Sequence, residues 1–167
     1  MLKKVLTEQA LYYGNVEMPK GFEINSLNLA SNFFDTLSQE KNFIFCKDWD
    51  KLNTYIKDFI GLNYKLRLLT KNAWTNCYTR NEHTEPLLNI NPVDLKNSPD
   101  YTLLYGINTL DCNVRIYYDD NRRKGRSWDI ELKNNMFIMF PSSNIYYITN
   151  NQKDSLNFIQ TITYEFI

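Results

Sequence analysis

Residues 136 to 140, Met-Phe-Ile-Met-Phe, are five consecutive apolar residues that run into Pro-Ser-Ser-Asn and then into Ile-Tyr-Tyr-Ile-Thr at 145 to 149. An apolar run this short, closed by turn residues, predicts a strand buried on both faces and joined at a sharp corner to a second strand. The pair sits in the middle of a β-rich half. From Lys65 onward short β-rich runs recur at intervals of about ten residues, the spacing of a sandwich or barrel. Candidate strands are 65–69, 73–79, 101–107, 113–118, 128–132, 136–140, 145–149 and 156–166. In the last, Leu156, Phe158, Ile162, Tyr164 and Phe166 take one face, expected to be core. Asn157, Thr161, Thr163 and Glu165 take the other, expected to be wet or to meet a partner. The connections are ordinary turn chemistry, as in Asp119 to Gly125, Lys133 to Asn135 and Asn150 to Asp154.

Before Lys65 the period is helical. Leu27, Ala30, Phe34 and Leu37 follow the capping candidates Asn25 and Ser26, which predicts a helix over about 26–38 with that stripe as a core face. In a second helix Asp48 is placed to cap, Trp49, Leu52, Ile56 and Phe59 form the stripe, and Gly61 is placed to end it. Residues 2 to 18 predict one or two edge strands, with a turn at Gly14-Asn15. Eight strands with short antiparallel connections after two helices predict a mainly β, α+β fold. It is a double-stranded β-helix, or jelly roll, braced by two N-terminal helices. The chain of 167 residues is expected to form one domain over 1–167, with strands and helices in 1–64 and the jelly-roll core in 65–167.

Composition narrows the function. Lys plus Arg (19) equals Asp plus Glu (19), so no global field draws nucleic acid or an anionic membrane to the chain. Charges at residues 3, 4 and 8 leave no room for an apolar signal-peptide core and no later run is long enough to span a membrane, so a soluble protein made in the cytoplasm is expected. Cys46, Cys77 and Cys112 are widely spaced and read as buried free thiols, suiting neither a disulfide framework nor a zinc site. There is no Gly-rich phosphate loop and no nucleophile elbow. Arg122, Arg123, Lys124 and Arg126 form the densest basic run, but acidic residues flank it on both sides. It reads as a solvated hairpin tip or as an interface partner, not as a nucleic-acid grip.

Trp74-Thr-Asn76-Cys-Tyr78-Thr-Arg-Asn81-Glu82 resembles the Trp-x-Asn-x-Tyr-x-x-Gly-Asp stretch that opens the catalytic jelly roll of prolyl-hydroxylase-like 2-oxoglutarate/Fe(II) oxygenases, especially small phage-encoded ones. Tyr101 to Tyr105 looks like the following strand, and the Phe140-Pro141-Ser142 corner and the alternating last strand complete the order over about 70–166. The resemblance implies iron ligands near Leu87 and Asn89 and at Tyr146, and a basic anchor for 2-oxoglutarate on the last strand. Neither Leu87 nor Asn89 suits iron, a tyrosine stands where the second His would come, and no Arg follows Arg126; Lys153 lies in a turn. A facial iron site needs two His and one carboxylate, and the chain contains one His. His83-Thr-Glu85 offers a His-x-Glu pair that reads more simply as a surface His beside acidic residues.

The resemblance therefore implies a degenerate, non-catalytic relative of the phage-type oxygenases with no cofactor. It would be a structural or assembly protein of a tailed-phage virion, synthesised in the host cytoplasm. Its expected partners are protein, either copies of itself in a homo-oligomer or other virion proteins, and neither nucleic acid nor membrane. The alternatives are an active Fe(II)/2-oxoglutarate oxygenase with atypical ligands such as His83, Glu85 and Tyr146, and a carbohydrate-binding jelly roll using its Tyr and Trp surface.

Overall fold

The computed structural model describes residues 4, 8–38, 47–79, 82–119, 125–150 and 156–167. In order these give β1 (Tyr12–Asn15), α1 (Ser26–Ser38), α2 (Lys47–Tyr64), β2 (Leu68–Tyr78), β3 (Tyr101–Asn108), β4 (Cys112–Asp119), β5 (Arg126–Leu132), β6 (Met136–Pro141), β7 (Tyr146–Asn150) and β8 (Asn157–Phe166). One sheet has the order β1-β6-β3-β8-β2 and the other β5-β4-β7, every pairing between named strands being antiparallel. From β3 onward the chain passes repeatedly between the two sheets. This is the jelly roll expected from the spacing of the β-rich runs.

Two hydrophobic clusters explain why β6 has to be continuously apolar. Phe137 and Met139 of β6 join Leu103 and Tyr105 of β3, Ile162 and Tyr164 of β8, Leu29 of α1 and Leu52, Ile56 and Ile60 of α2. Met136, Ile138 and Phe140 of the same strand join Val114 and Ile116 of β4, Leu132 of β5, and Tyr146 and Ile148 of β7. Successive side chains of a strand point to opposite faces, so the five-stranded sheet is the middle layer, with helices on one side and the three-stranded sheet on the other. Each fully buried Ile or Phe contributes about 1.5–3 kcal/mol relative to exposure.

The helices begin and end for local reasons. Asn25 caps α1, its Oδ1 accepting from the Asn28 amide at 3.1 Å. Trp49 Nε1 donates to Asn32 Oδ1 at 3.0 Å and ties α2 to α1. Lys65, at φ 56°, ends α2 in the left-handed region. Gly106 admits no side chain, since a Cβ there would collide with the Lys133 carbonyl.

Several expectations are corrected. The runs 65–69 and 73–79 are one strand, β2, with an irregularity between Thr70 and Asn72 that keeps both halves paired to β8. Gly14-Asn15 is not a turn; both residues pair with β6 as the end of edge strand β1. Gly61 lies inside α2, and Asp48 falls in its first turn, not ahead of it. In α1 Leu29 is buried, with Ala30 and Phe33 packed against the same core; of the predicted stripe Ala30 therefore meets the sheet-side core, Phe34 is largely exposed with its ring edge on Phe158, and Leu27 and Leu37 are exposed. The face of β8 expected to be wet is buried. Asn157, Thr161 and Thr163 look into the space between the sheets with Ile159, and only Glu165 is partly exposed. Cys46, Arg122, Arg123, Lys124 and Lys153 lie outside the described residues.

Candidate functional site

The chain between β2 and β3 runs along the free side of β7 and brings together the positions that the sequence resemblance nominated. Thr84 N donates to Ile148 O at 3.0 Å, and Ile148 N to Thr84 Oγ1 at 2.9 Å. Leu87 and Tyr146 exchange both backbone bonds, at 2.9 and 3.1 Å. Leu87 packs against the inter-sheet cluster, and Tyr146 is a member of it, 2% exposed and with its ring 5.1 Å from that of Phe140. Two residues after Leu87, Asn89 Nδ2 donates to Tyr146 Oη and to Thr102 Oγ1, both at 3.1 Å. Thr102 Oγ1 in turn lies 2.9 Å from Ser142 Oγ. Leu87, Asn89 and Tyr146 are thus neighbours, at the end of the interior where the β6–β7 corner crosses between the sheets.

What these side chains offer is neutral. Burial pushes the Tyr146 hydroxyl up, against a smaller lowering from its Asn89 bond, so it remains a phenol. Tyr78, facing the same interior, is also held above its ordinary value, by burial first and then by Tyr146. Leu87 has no lone pair to give, and Asn89, its amide hydrogens bonded to Tyr146 and Thr102, has only a neutral amide oxygen left to offer. No set of three His, Cys, Asp or Glu among the described residues is grouped to hold a metal. On β8 the inward side chains are Asn157, Ile159, Thr161 and Thr163, none of them a cation that could pair with a dicarboxylate. The donor set does not fit Fe(II) with 2-oxoglutarate.

The other nominated residues lie elsewhere. His83 bridges to Thr149 and is exposed on the outer side of the three-stranded sheet, the face opposite to Tyr146, and Glu85 is exposed as well. His83, Glu85 and Tyr146 are therefore not gathered around one point. Arg126 is the first residue of β5. Cys112 is buried and its thiol is pushed up to about 12 by that burial, while partly buried Cys77 is raised by burial and then by Glu82. Neither thiol is an activated nucleophile.

Thr102 does not stand out in the sequence, and Ser142 does so only as the end of the Phe140-Pro141-Ser142 corner, with no role of its own. Their only signal is a hydroxyl in each of two otherwise apolar segments, Tyr-Thr-Leu-Leu and Phe-Pro-Ser. Thr161 Oγ1 is buried on the same inner face and has no hydrogen-bond partner among the described residues.

No family model and no curated protein matches this chain. Solved structures do. A prolyl-4-hydroxylase from Pseudomonas putida superposes with a TM-score of 0.65 at 12% identity, over 94% of this chain and 88% of that one. A prolyl hydroxylase from Trichoplax adhaerens, solved with a hypoxia-inducible-factor peptide fragment, gives 0.61 at 13% identity, over 93% and 83%. The non-heme α-ketoglutarate-dependent epimerase SnoN of nogalamycin biosynthesis gives 0.65 at 8%, over 93% and 77%. The fold is the double-stranded β-helix of prolyl-hydroxylase-like 2-oxoglutarate/Fe(II) oxygenases.

Proposed function

We propose that this chain is a non-catalytic member of the oxygenase fold that acts through its surface in binding or assembly. The observation that carries the reading is the set at 87, 89 and 146. A leucine, an amide and a buried phenol stand where the family resemblance puts iron ligands, and Asn89 ties the phenol to Thr102. Such a network fills and rigidifies a polar end of the interior. A domain without this chemistry works by contact. Zero formal net charge leaves no long-range repulsion between copies, and twelve Tyr supply the amphipathic rings enriched in interface cores.

As part of the same proposal, the protein belongs to a tailed-phage particle, assembled with itself or with other virion proteins; the support is the likeness of its Trp74 to Glu82 stretch to the motif of small phage-encoded oxygenases. Arg122, Arg123, Lys124 and Arg126 are the nominated contacts, since mixed charges fix register at an interface. The test is to look for the chain in purified particles and to measure its mass in solution. Recovery in particles as an oligomer, lost in Arg122→Glu or Arg123→Glu with the fold intact, supports the reading. A monomer absent from particles, with both variants neutral, removes the virion role. For the site, Tyr146→His should fold without gaining tight Fe(II) or Co(II) binding, because one imidazole added to Leu87 and Asn89 is still not a facial set.

A further inference from the structure

The outer face of the three-stranded sheet carries a groove of about 440 Å³, and strand register fixes its layout. Tyr147, Arg115 and Asp129 lie abreast across β7, β4 and β5, and His83, Thr149 and Asn113 form the next row. The Tyr117 ring lies 5.5 Å from that of Tyr147, at an interplanar angle of 68°. Arg115 grips Asp129 with both arms, Nε to Oδ1 at 2.6 Å and Nη2 to Oδ2 at 2.8 Å. Tyr146 and Tyr147 are consecutive on β7 and point to opposite faces. The groove is therefore separate from the interior network, and its capacity to bind does not depend on whether the interior is catalytic.

Three properties select an occupant. The charges of Arg115 and Asp129 neutralise each other in a bidentate pair, so that pair offers no net charge to an ionic ligand of either sign, while the remaining guanidinium N–H groups and carboxylate lone pairs can bond neutral hydroxyls. The two Tyr rings offer apolar surface with a polar tip. No Leu, Ile, Val or Met is among the lining residues, and the polar groups stand mostly on strands, where little freedom is left to lose on binding. A neutral molecule with one C–H face and adjacent hydroxyls meets all three conditions. A pyranose ring is such a molecule, and the volume suits about one or two rings, at the small end of ligand pockets.

We propose that this groove binds a neutral saccharide, its C–H face on Tyr147 and Tyr117 and its hydroxyls on the Arg115–Asp129 pair, Asn113 and Thr149. The test is titration of the full chain by ligand-observed NMR with glucose, galactose, mannose, N-acetylglucosamine and their trisaccharides. Adenosine and an uncharged tripeptide serve as competing chemistries. At least one sugar should bind saturably below about 10 mM, weakly as expected for a shallow site. Tyr147→Ala or Asp129→Asn should then weaken it by about tenfold. Asn113→Trp, at an exposed position, should block the groove without touching either core, which covers the case where Tyr147→Ala fails to fold. The proposal is overturned if no sugar binds in that range, if adenosine or the tripeptide binds in preference, or if binding survives Asn113→Trp unchanged.

Discussion

The two faces of the five-stranded sheet both bury side chains but differ in kind. Towards the helices the sheet presents mainly rings and aliphatics, Phe137 against Phe59 and Tyr64, Phe158 against Phe33 and Phe34, with Leu52, Ile56 and Ile60 closing over them and buried Gln160 bonded to Asn53 of α2 and Thr75 of β2. Towards the second sheet the packing is as apolar around Val114, Leu132 and Ile148 but turns polar at the β6–β7 corner, where Asn89, Thr102, Ser142 and Tyr146 meet. The helix-side face does one job, stability. The inner face supports the fold at one end and holds neutral hydrogen-bonding groups at the other, the end where the oxygenase resemblance places its chemistry. The proposed absence of oxygenase activity rests on those few inward side chains and not on the fold.

Substitutions should separate the two faces by size of effect. Phe137→Ala removes a fully buried ring from the helix-side cluster and should cost about 3–5 kcal/mol in urea unfolding. A loss under about 1 kcal/mol would mean the helices are not seated on the sheet. Trp49→Ala should cost less, about 2 kcal/mol, since the indole is only partly buried and its bond to Asn32 is a single contact. An unchanged melting midpoint would show that the α2 stripe serves a partner instead. On the inner face Tyr146→Phe deletes one acceptor of the Asn89 amide and should cost about 1 kcal/mol. A stabilised Tyr146→Phe would show that the hydroxyl serves something other than packing.

The smallest effect should have the opposite sign. Thr161 Oγ1 is buried without a partner among the described residues. Thr161→Val replaces it with a group of the same shape, so the melting temperature should hold or rise slightly. A clear drop would identify a bound water or ligand that the hydroxyl serves.

The same contrast explains what could be read from the sequence. Met136 to Phe140 announced itself because a strand covered on both faces has no polar position to interrupt it. β8 did not, because its inner face is threonine and asparagine, residues that on most strands mark solvent, and only the second sheet makes them interior. The α1 stripe misled for a related reason. Leu27 and Leu37 keep helical spacing with Ala30 and Phe34, but the sheet takes the side centred on Leu29 and Phe33, reaching only Ala30 and the edge of Phe34, and periodicity alone does not say which of two apolar sides is covered. Gly61 could not be told from a terminator without knowing that Lys65 would take the left-handed turn. For the site, motif order nominated Leu87, Asn89 and Tyr146 only through the resemblance, and the hydrogen bonds joining Asn89 to Tyr146 and Thr102, between residues 13 to 57 apart in sequence, could not be read from it. The outer groove was legible only in part. His83 stood out as the lone histidine, but the Arg115–Asp129 and Tyr117–Tyr147 pairs arise from cross-strand register.

The most direct test of the central claim is to incubate the purified protein anaerobically with Fe(II), remove unbound metal, measure iron per chain, and then assay succinate released from 2-oxoglutarate in air. With Leu87, Asn89 and Tyr146 as its would-be ligands, the chain should retain far less than one iron and release no succinate above a metal-free control. Stoichiometric iron, or succinate that scales with the amount of protein, would contradict the account and make this chain an oxygenase with a ligand set outside the network of Tyr146.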